Sequence, residues 1–203
     1  TAPAQQISLS KSGTGTWKIS GANTYTGTTS ITGGTLILGA NNVLPSTTNV
    51  TLGAATLDAD TRSDSMGTLN VSAAATIRLG TGAALAFTDS SAVTWAGTLT
   101  ITGTFVSGSS LRFGTTANAL TATQLSKISS AGFTSFSLNS SGYLIANSIV
   151  PTYTNWSTTN GTAGAFTADH DNDGVANGIE FFLGGNSNTT GTTTLPAVTT
   201  TSG

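Results

Sequence analysis

Five short segments recur along the chain: Gly15-Thr-Trp-Lys-Ile19, Gly34-Thr-Leu-Ile-Leu38, Ala55-Thr-Leu-Asp-Ala59, Ala75-Thr-Ile-Arg-Leu79 and Gly97-Thr-Leu-Thr-Ile101. Their starts lie 19, 21, 20 and 22 residues apart. Each reads small–threonine–apolar–any–apolar, and alternation with period two marks a half-buried strand. The pattern predicts an inward column of Trp17, Leu36, Leu57, Ile77 and Leu99, with Ile19, Leu38, Ala59, Leu79 and Ile101 beside it. Lys18, Ile37, Asp58, Arg78 and Thr100 then face outward. An offset series keeps the same beat: Ile31, Val50/Leu52, Leu69/Val71, Leu85/Phe87 and Leu111/Phe113. Two or more strands per period of about twenty residues predict an all-β solenoid, in which each coil buries its apolar face only against its neighbours. An up-and-down β-sandwich is the alternative. Stacked coils place like residues over like at about 4.8 Å, and a ladder of threonines (Thr16, Thr35, Thr56, Thr76, Thr98) suits that stacking. Gly21, Gly27, Gly33, Gly53, Gly80 and Gly103 fall between strands, where corners with positive φ are expected.

Composition agrees with this reading. Charged residues make up 7% of the chain, against about 25% in an average domain, while 37% are hydrophobic. That balance does not fit disorder, which goes with high charge and few β-branched residues. It fits a strand-rich body coated with hydroxyls. The 6 lysines and arginines are spread along the chain, so no basic patch for nucleic acid is expected. No run of about 20 apolar residues is present, so no helical membrane span is expected. With no cysteine, a disulfide framework and thiolate metal sites are excluded. The start Thr1-Ala-Pro-Ala reads as the processed product of an exported bacterial precursor.

A second signal lies near the C-terminus. Asp169-His-Asp171-Asn-Asp173-Gly174-Val-Ala-Asn177-Gly-Ile-Glu180 places oxygen-bearing side chains at loop positions 1, 3, 5, 9 and 12 and glycine at position 6. This is the ligand register of an EF-hand calcium loop. Calcium takes six to eight oxygens, so the loop must wrap and turn sharply. Asp169, Asp171, Asp173, the carbonyl of Val175, Asn177 and Glu180 are the predicted ligands, and calcium is the predicted cofactor. Glu180 is the only glutamate, and the loop holds four of the eight acidic residues. Carboxylates this crowded repel one another unless a cation sits between them.

Between these signals, Leu120 to Ile128 reads as a short helix with Thr121 or Thr123 as N-cap. Phe133 to Ile145 reads as a hairpin turning at Asn139-Ser-Ser-Gly142. Ile179 to Leu183 continues the acidic loop into a helix ended by Gly184-Gly185, and Tyr153 to Ser157 reads as a helical turn. Trp156, Phe166, Phe181 and Leu183 are available as a miniature core. The expected organisation is a solenoid over 1–146 with an end cap from about 120, a linker at 147–151, a calcium-binding module over 152–185 and an extended Thr-rich tail over 186–203. A module this small buries little apolar surface, so bound metal is expected to contribute directly to its folding.

The stretch from Gly15 to Gly39 closely resembles the autotransporter-associated β-strand repeat of large exported bacterial surface proteins. The resemblance implies a right-handed parallel β-helix and an extracellular or cell-surface location. The segment from Asp169 to Glu180 resembles the calcium-binding repeats of dockerins and of thrombospondin type 3 segments. Dockerins carry two such loops and this chain has one, which argues against dockerin-type docking.

The expected function is that of an extracellular structural protein, a subunit of a self-assembling fibre stabilised by calcium. Its ends would be held by neighbouring copies, because solenoid ends and edge strands are templates for pairing. A carbohydrate-binding or adhesive module is the runner-up, with cell-surface glycans as partner and exposed aromatics around Trp95 or Tyr25. Catalysis is not expected. Asp58 and Asp60 sit at i, i+2 in permissive carboxylate geometry, with Asp64, Arg62 and Arg78 nearby, but the one histidine, His170, lies inside the calcium loop.

Overall fold

The computed structural model describes residues 6–148, 165–170, 172 and 176–183. The chain divides into two units, Thr1–Ile149 and Val150–Gly203.

The first unit is a parallel β-solenoid. Its longest face is a six-stranded sheet of β2 (Thr16–Ile19), β4 (Thr35–Leu38), β6 (Thr56–Asp58), β9 (Ala75–Leu79), β11 (Leu99–Gly103) and β13 (Ile128–Ser130), stacked in chain order. A second face stacks β1 (Leu9–Lys11), β3 (Thr29–Ile31), β5 (Val50–Leu52) and β8 (Leu69–Val71). The third face begins later, with β7 (Ser63–Met66), β10 (Ala84–Phe87) and β12 (Leu111–Phe113). Every pairing within these three sheets is parallel. The up-and-down sandwich alternative is therefore ruled out for these stacked coils.

Register follows the repeat for four coils: Thr16, Thr35, Thr56 and Thr76 are direct neighbours, and so are Trp17, Leu36, Leu57 and Ile77. The fifth copy departs from the predicted alignment. Thr100, not Thr98, pairs with Thr76, and Ile101, not Leu99, pairs with Ile77. A slide of two residues keeps every side chain on its expected face, so alternation alone does not fix it. Leu36, Leu57, Ile77 and Ile101 are all buried. Trp17 shares their column but is 47% exposed, because it lies on the terminal strand of its sheet.

The offset series divides between two faces. Ile31, Val50/Leu52 and Leu69/Val71 belong to the second sheet, whereas Leu85/Phe87 and Leu111/Phe113 belong to the third. The segment around Trp95 follows β10. Trp95 is buried, so it does not supply the exposed aromatic that the adhesive reading calls for, and its indole N–H donates to the Leu69 carbonyl at 2.9 Å. In the next coil comes helix α1 (Ala122–Leu125). Thr121 caps it as predicted: its hydroxyl accepts from the Gln124 N–H at 3.2 Å, and its own N–H donates to Gln124 Oε1 at 2.7 Å. The Gln124 carboxamide also donates to the carbonyls of Ser90 and Val93, which ties the helix to the preceding coil.

The predicted hairpin is β14 (Phe133–Leu138) with β15 (Leu144–Ser148), the two strands antiparallel. Asn139 Oδ1 accepts from the N–H groups of Ser141 and Tyr143 and sets the turn, and Gly142 has φ 80°. Phe105, Phe133 and Phe136 form a cluster of tilted rings beneath it.

The corner glycines work differently from expectation. Of the six named from sequence, only Gly103 has positive φ. Four of the others, Gly27, Gly33, Gly53 and Gly80, sit in close contact with a neighbouring coil. A Cβ on Gly80 would lie 2.1 Å from the Asp60 carbonyl oxygen, and the Gly80 N–H donates to that same oxygen at 2.5 Å. At Gly21, by contrast, an added Cβ meets no atom within 4 Å. Gly80→Ala is therefore expected to destabilise the solenoid by about 2–4 kcal/mol, since backbone must move, and Gly21→Ala to leave it unchanged or more stable by up to about 1 kcal/mol. Urea unfolding of the two variants checks this; equal stabilities would contradict the inter-coil contact.

Candidate functional site

Three places carry chemistry-bearing residues: the carboxylates of the middle coils, the first coil, and the acidic loop of the second unit.

Asp58 and Arg78 face outward on adjacent strands in direct register. One guanidinium nitrogen, Nη1, donates to both Asp58 oxygens, at 2.9 and 2.8 Å. Asp58 Oδ1 also accepts the Asp60 N–H at 2.8 Å, and Asp60 occupies the corner with φ 49°. Asp58 is thus bound up in an ion pair and a turn rather than presented beside Asp60 to a substrate.

Asp64 points the other way. Its neighbour in β10 is Leu85, so it stands in the inward column of the third face and is 3% exposed. Its Oδ2 accepts the N–H groups of Val43 and Leu44 at 2.9 and 3.0 Å, and its Oδ1 accepts that of Ser65 at 2.8 Å. Burial raises its pKa above the ordinary carboxylate value, and the three N–H donors offset only part of that rise. The carboxylate acts as a bracket that holds the 43–44 segment of the preceding coil.

The first coil exposes one side of its backbone. Among the described residues, β1 and β2 each have a single strand neighbour, β3 and β4 respectively. Lys11 lies in the inward column directly over Ile31 and is fully buried. Its ammonium donates to the carbonyls of Ser12, Gly13 and Gly33 at 3.2, 3.0 and 2.8 Å, one acceptor for each proton, and lies 5.5 Å from the centre of the Trp17 ring. Sequence reasoning missed Lys11. The signal was its phase: Leu9-Ser-Lys11 aligns with Thr29-Ser-Ile31, which places a cation where an apolar residue is due.

In the second unit, helix α2 (Asn177–Leu183) begins inside the acidic loop, two residues before the expected start at Ile179. The loop's ends are drawn together by Asn177 N–H to the Ala168 carbonyl at 2.7 Å and Gly178 N–H to the Phe166 carbonyl at 2.8 Å. Asn177 is buried, and its Oδ1 accepts the His170 N–H at 3.2 Å. Asn172 takes a left-handed conformation with φ 58°. Of the predicted ligands, Asp169 and Asn177 are described, and Glu180 lies on α2. Asp171, Asp173 and Val175 lie outside the described residues, as do Trp156 and the predicted turn at Tyr153. Among the described residues no group of three or more His, Cys, Asp or Glu side chains that could hold a metal ion is brought together.

Residues 9–38 match the Passenger-associated-transport-repeat family. The match spans β1 to β4 and coincides with the segment whose resemblance was read from sequence. Together with the parallel solenoid it supports an autotransporter-associated β-repeat protein. No curated protein and no solved structure matches the chain. Among the described residues no helix is long and apolar enough to cross a membrane.

Because folding raises the pKa of Asp64, the native state binds its proton more tightly than the unfolded chain does. The Asp64 contribution to stability is then greatest at low pH and declines as pH rises through the raised native value. Asp64→Asn removes that dependence. Comparing urea midpoints of parent and variant from about pH 3 to about pH 7 should show the parent losing ground relative to the variant as pH rises. A difference independent of pH would refute the assignment.

Proposed function

We propose that the chain is an extracellular structural protein of a bacterial surface, a subunit of a self-assembling fibre stabilised by calcium, and that it carries no catalytic residues. The single observation behind the polymer is the first coil, where among the described residues β1 and β2 each have one strand neighbour while the cores of the following coils are closed. Parallel edge strands of this kind accept a further strand by main-chain pairing. The opposite end of the solenoid is covered by the hairpin β14–β15, with the Leu144 and Gly142 carbonyls accepting from Gly108 and Phe113. Growth would therefore proceed at the first coil, with terminal segments of another copy as the added strands. The Passenger-associated-transport-repeat match points to a secreted or cell-surface location.

Calcium enters at the second unit. Asp169, Asp171, Asp173, Val175, Asn177 and Glu180 would hold it, and the ion would supply the positive charge that lets the carboxylates share one loop. A lone extracellular loop of this type binds with a Kd of about 10⁻⁴–10⁻³ M, which suits a structural ion.

The reading is tested by negative-stain electron microscopy with calcium and then with EGTA. Filaments that disappear in EGTA are expected; separate rods in both conditions would overturn the polymer.

Asp169→Ala and Glu180→Ala are expected to lower calcium affinity by an order of magnitude or more and to unfold residues 152–184 while the solenoid keeps its melting temperature. Calorimetry with and without chelator reads both effects. Melting that chelator does not change in the parent protein would remove calcium from the assignment.

The second reading, a carbohydrate-binding module, draws on a groove along the third face.

A further inference from the structure

The outer surface of the third face is concave. The row Ser65, Ala86, Arg112 runs across β7, β10 and β12 in direct register, and Tyr143 bridges to Arg112 from the hairpin. Small side chains in the first two coils leave a trough that the arginine and the tyrosine close at one end. Two hollows share Ser65, Ala86 and Arg112. One, of about 250 Å³, runs toward Asn42, Ser63, Ser109 and Tyr143. The other, of about 360 Å³, runs toward Ser46, Asp89 and Thr116.

Arg112 is held in an unusual way. Its guanidinium lies 5.8 Å from the centre of the Tyr143 ring, and its buried Nε has no hydrogen-bond partner. Among the described residues the one ion pair is Arg78 with Asp58, and no described carboxylate pairs with Arg112. Its terminal nitrogens have no carboxylate partner among the described residues, so at the junction of the two hollows they are open to an anionic acceptor. Asp64 also borders the smaller hollow, but its oxygens are taken by the N–H groups of Val43, Leu44 and Ser65. Asp89 borders the larger hollow. It is exposed, and the Ser91 hydroxyl and N–H hold its carboxyl below the usual range, so it is an ionised acceptor.

We propose that this groove binds an acidic saccharide, with a sugar carboxylate on Arg112 in the smaller hollow and the adjoining neutral hydroxyls on Asp89 in the larger one. The chemistry of the lining selects this class. A planar guanidinium recognises a carboxylate by paired donors. An aromatic ring beside it offers an apolar face to a pyranose. Serines, threonines and Asn42 supply short hydroxyl and amide partners, which suit a ligand rich in hydroxyls. A nucleic acid is disfavoured, because Arg112 is the only basic residue lining either hollow and Asp89 opposes a second phosphate. The solenoid as a whole favours an anion: it carries all six lysines and arginines but only four of the eight acidic residues, a formal charge of +2. This inference does not depend on polymerisation or on calcium.

The test is isothermal titration of the full chain with a galacturonate oligomer and with its neutral methyl ester. Saturable binding of the acid is expected, at least about tenfold tighter than that of the ester. Arg112→Gln should weaken it by about tenfold or more. Ala86→Trp, which fills the trough and leaves the guanidinium in place, should abolish it, while Lys18→Gln on another face should leave it unchanged. Circular dichroism confirms that each variant is folded. Absence of binding to the acid, equal binding of acid and ester, or unchanged binding in both groove variants would each overturn the proposal.

Discussion

The inter-coil hydrogen-bond ladder governs everything else in the solenoid. Parallel strands stacked at about 4.8 Å leave no room for a side chain between the backbones of successive corners. That spacing is why Gly80 sits on the Asp60 carbonyl, and why apolar residues at one phase fall into continuous columns such as Leu36, Leu57, Ile77 and Ile101. Each column is a small core shared by neighbours, so no coil is stable alone. The ladder also tolerates polar residues at inward positions where their groups find backbone partners. Lys11 and Asp64 are the two examples, one offering donors to three carbonyls and the other accepting three N–H groups. Each reaches the backbone of the following or preceding coil, so a polar side chain at an inward position ties together the same coils that the apolar columns hold.

The two ends of the body are unlike. At the first coil the ladder ends in β1 and β2, with a cation closing part of the opening. At the other end the stacking changes character: Trp95 and then α1 follow the strands of the second face, and an antiparallel hairpin closes the third. This asymmetry links the fold to the proposed assembly. The same hairpin also brings Tyr143 beside Arg112, so the cap and the groove are built from one element.

Much of this was legible in the sequence, and the departures have physical reasons. The repeat, its period and its inward phase follow from alternation, which is why the columns of β4, β6 and β9 were read correctly. Capping chemistry made α1 legible through Thr121 and Gln124, and turn chemistry made the hairpin legible through Asn139 and Gly142. The third face was hidden because β7 reads Ser-Asp-Ser-Met, with a carboxylate at an inward position, and no hydrophobic pattern marks such a strand. The slide of β11 was hidden because a shift of two preserves every facing. The groove at Arg112 was invisible for a further reason: it depends on small residues from two earlier coils and a tyrosine from the cap, brought together only by stacking. The acidic loop presents the opposite case, a local pattern whose expected ligands come from spacing alone and three of which lie outside the described residues.

The direction of the strands has a mechanical consequence. They run across the stacking axis, so a pull between the ends of the body would load the hydrogen bonds of one coil at a time rather than all at once. A coil of about twenty residues that peels away extends to about 70 Å, against the 4.8 Å or so it occupies when stacked. A body built in this way would lengthen under load in steps of one coil, each step set by the repeat period.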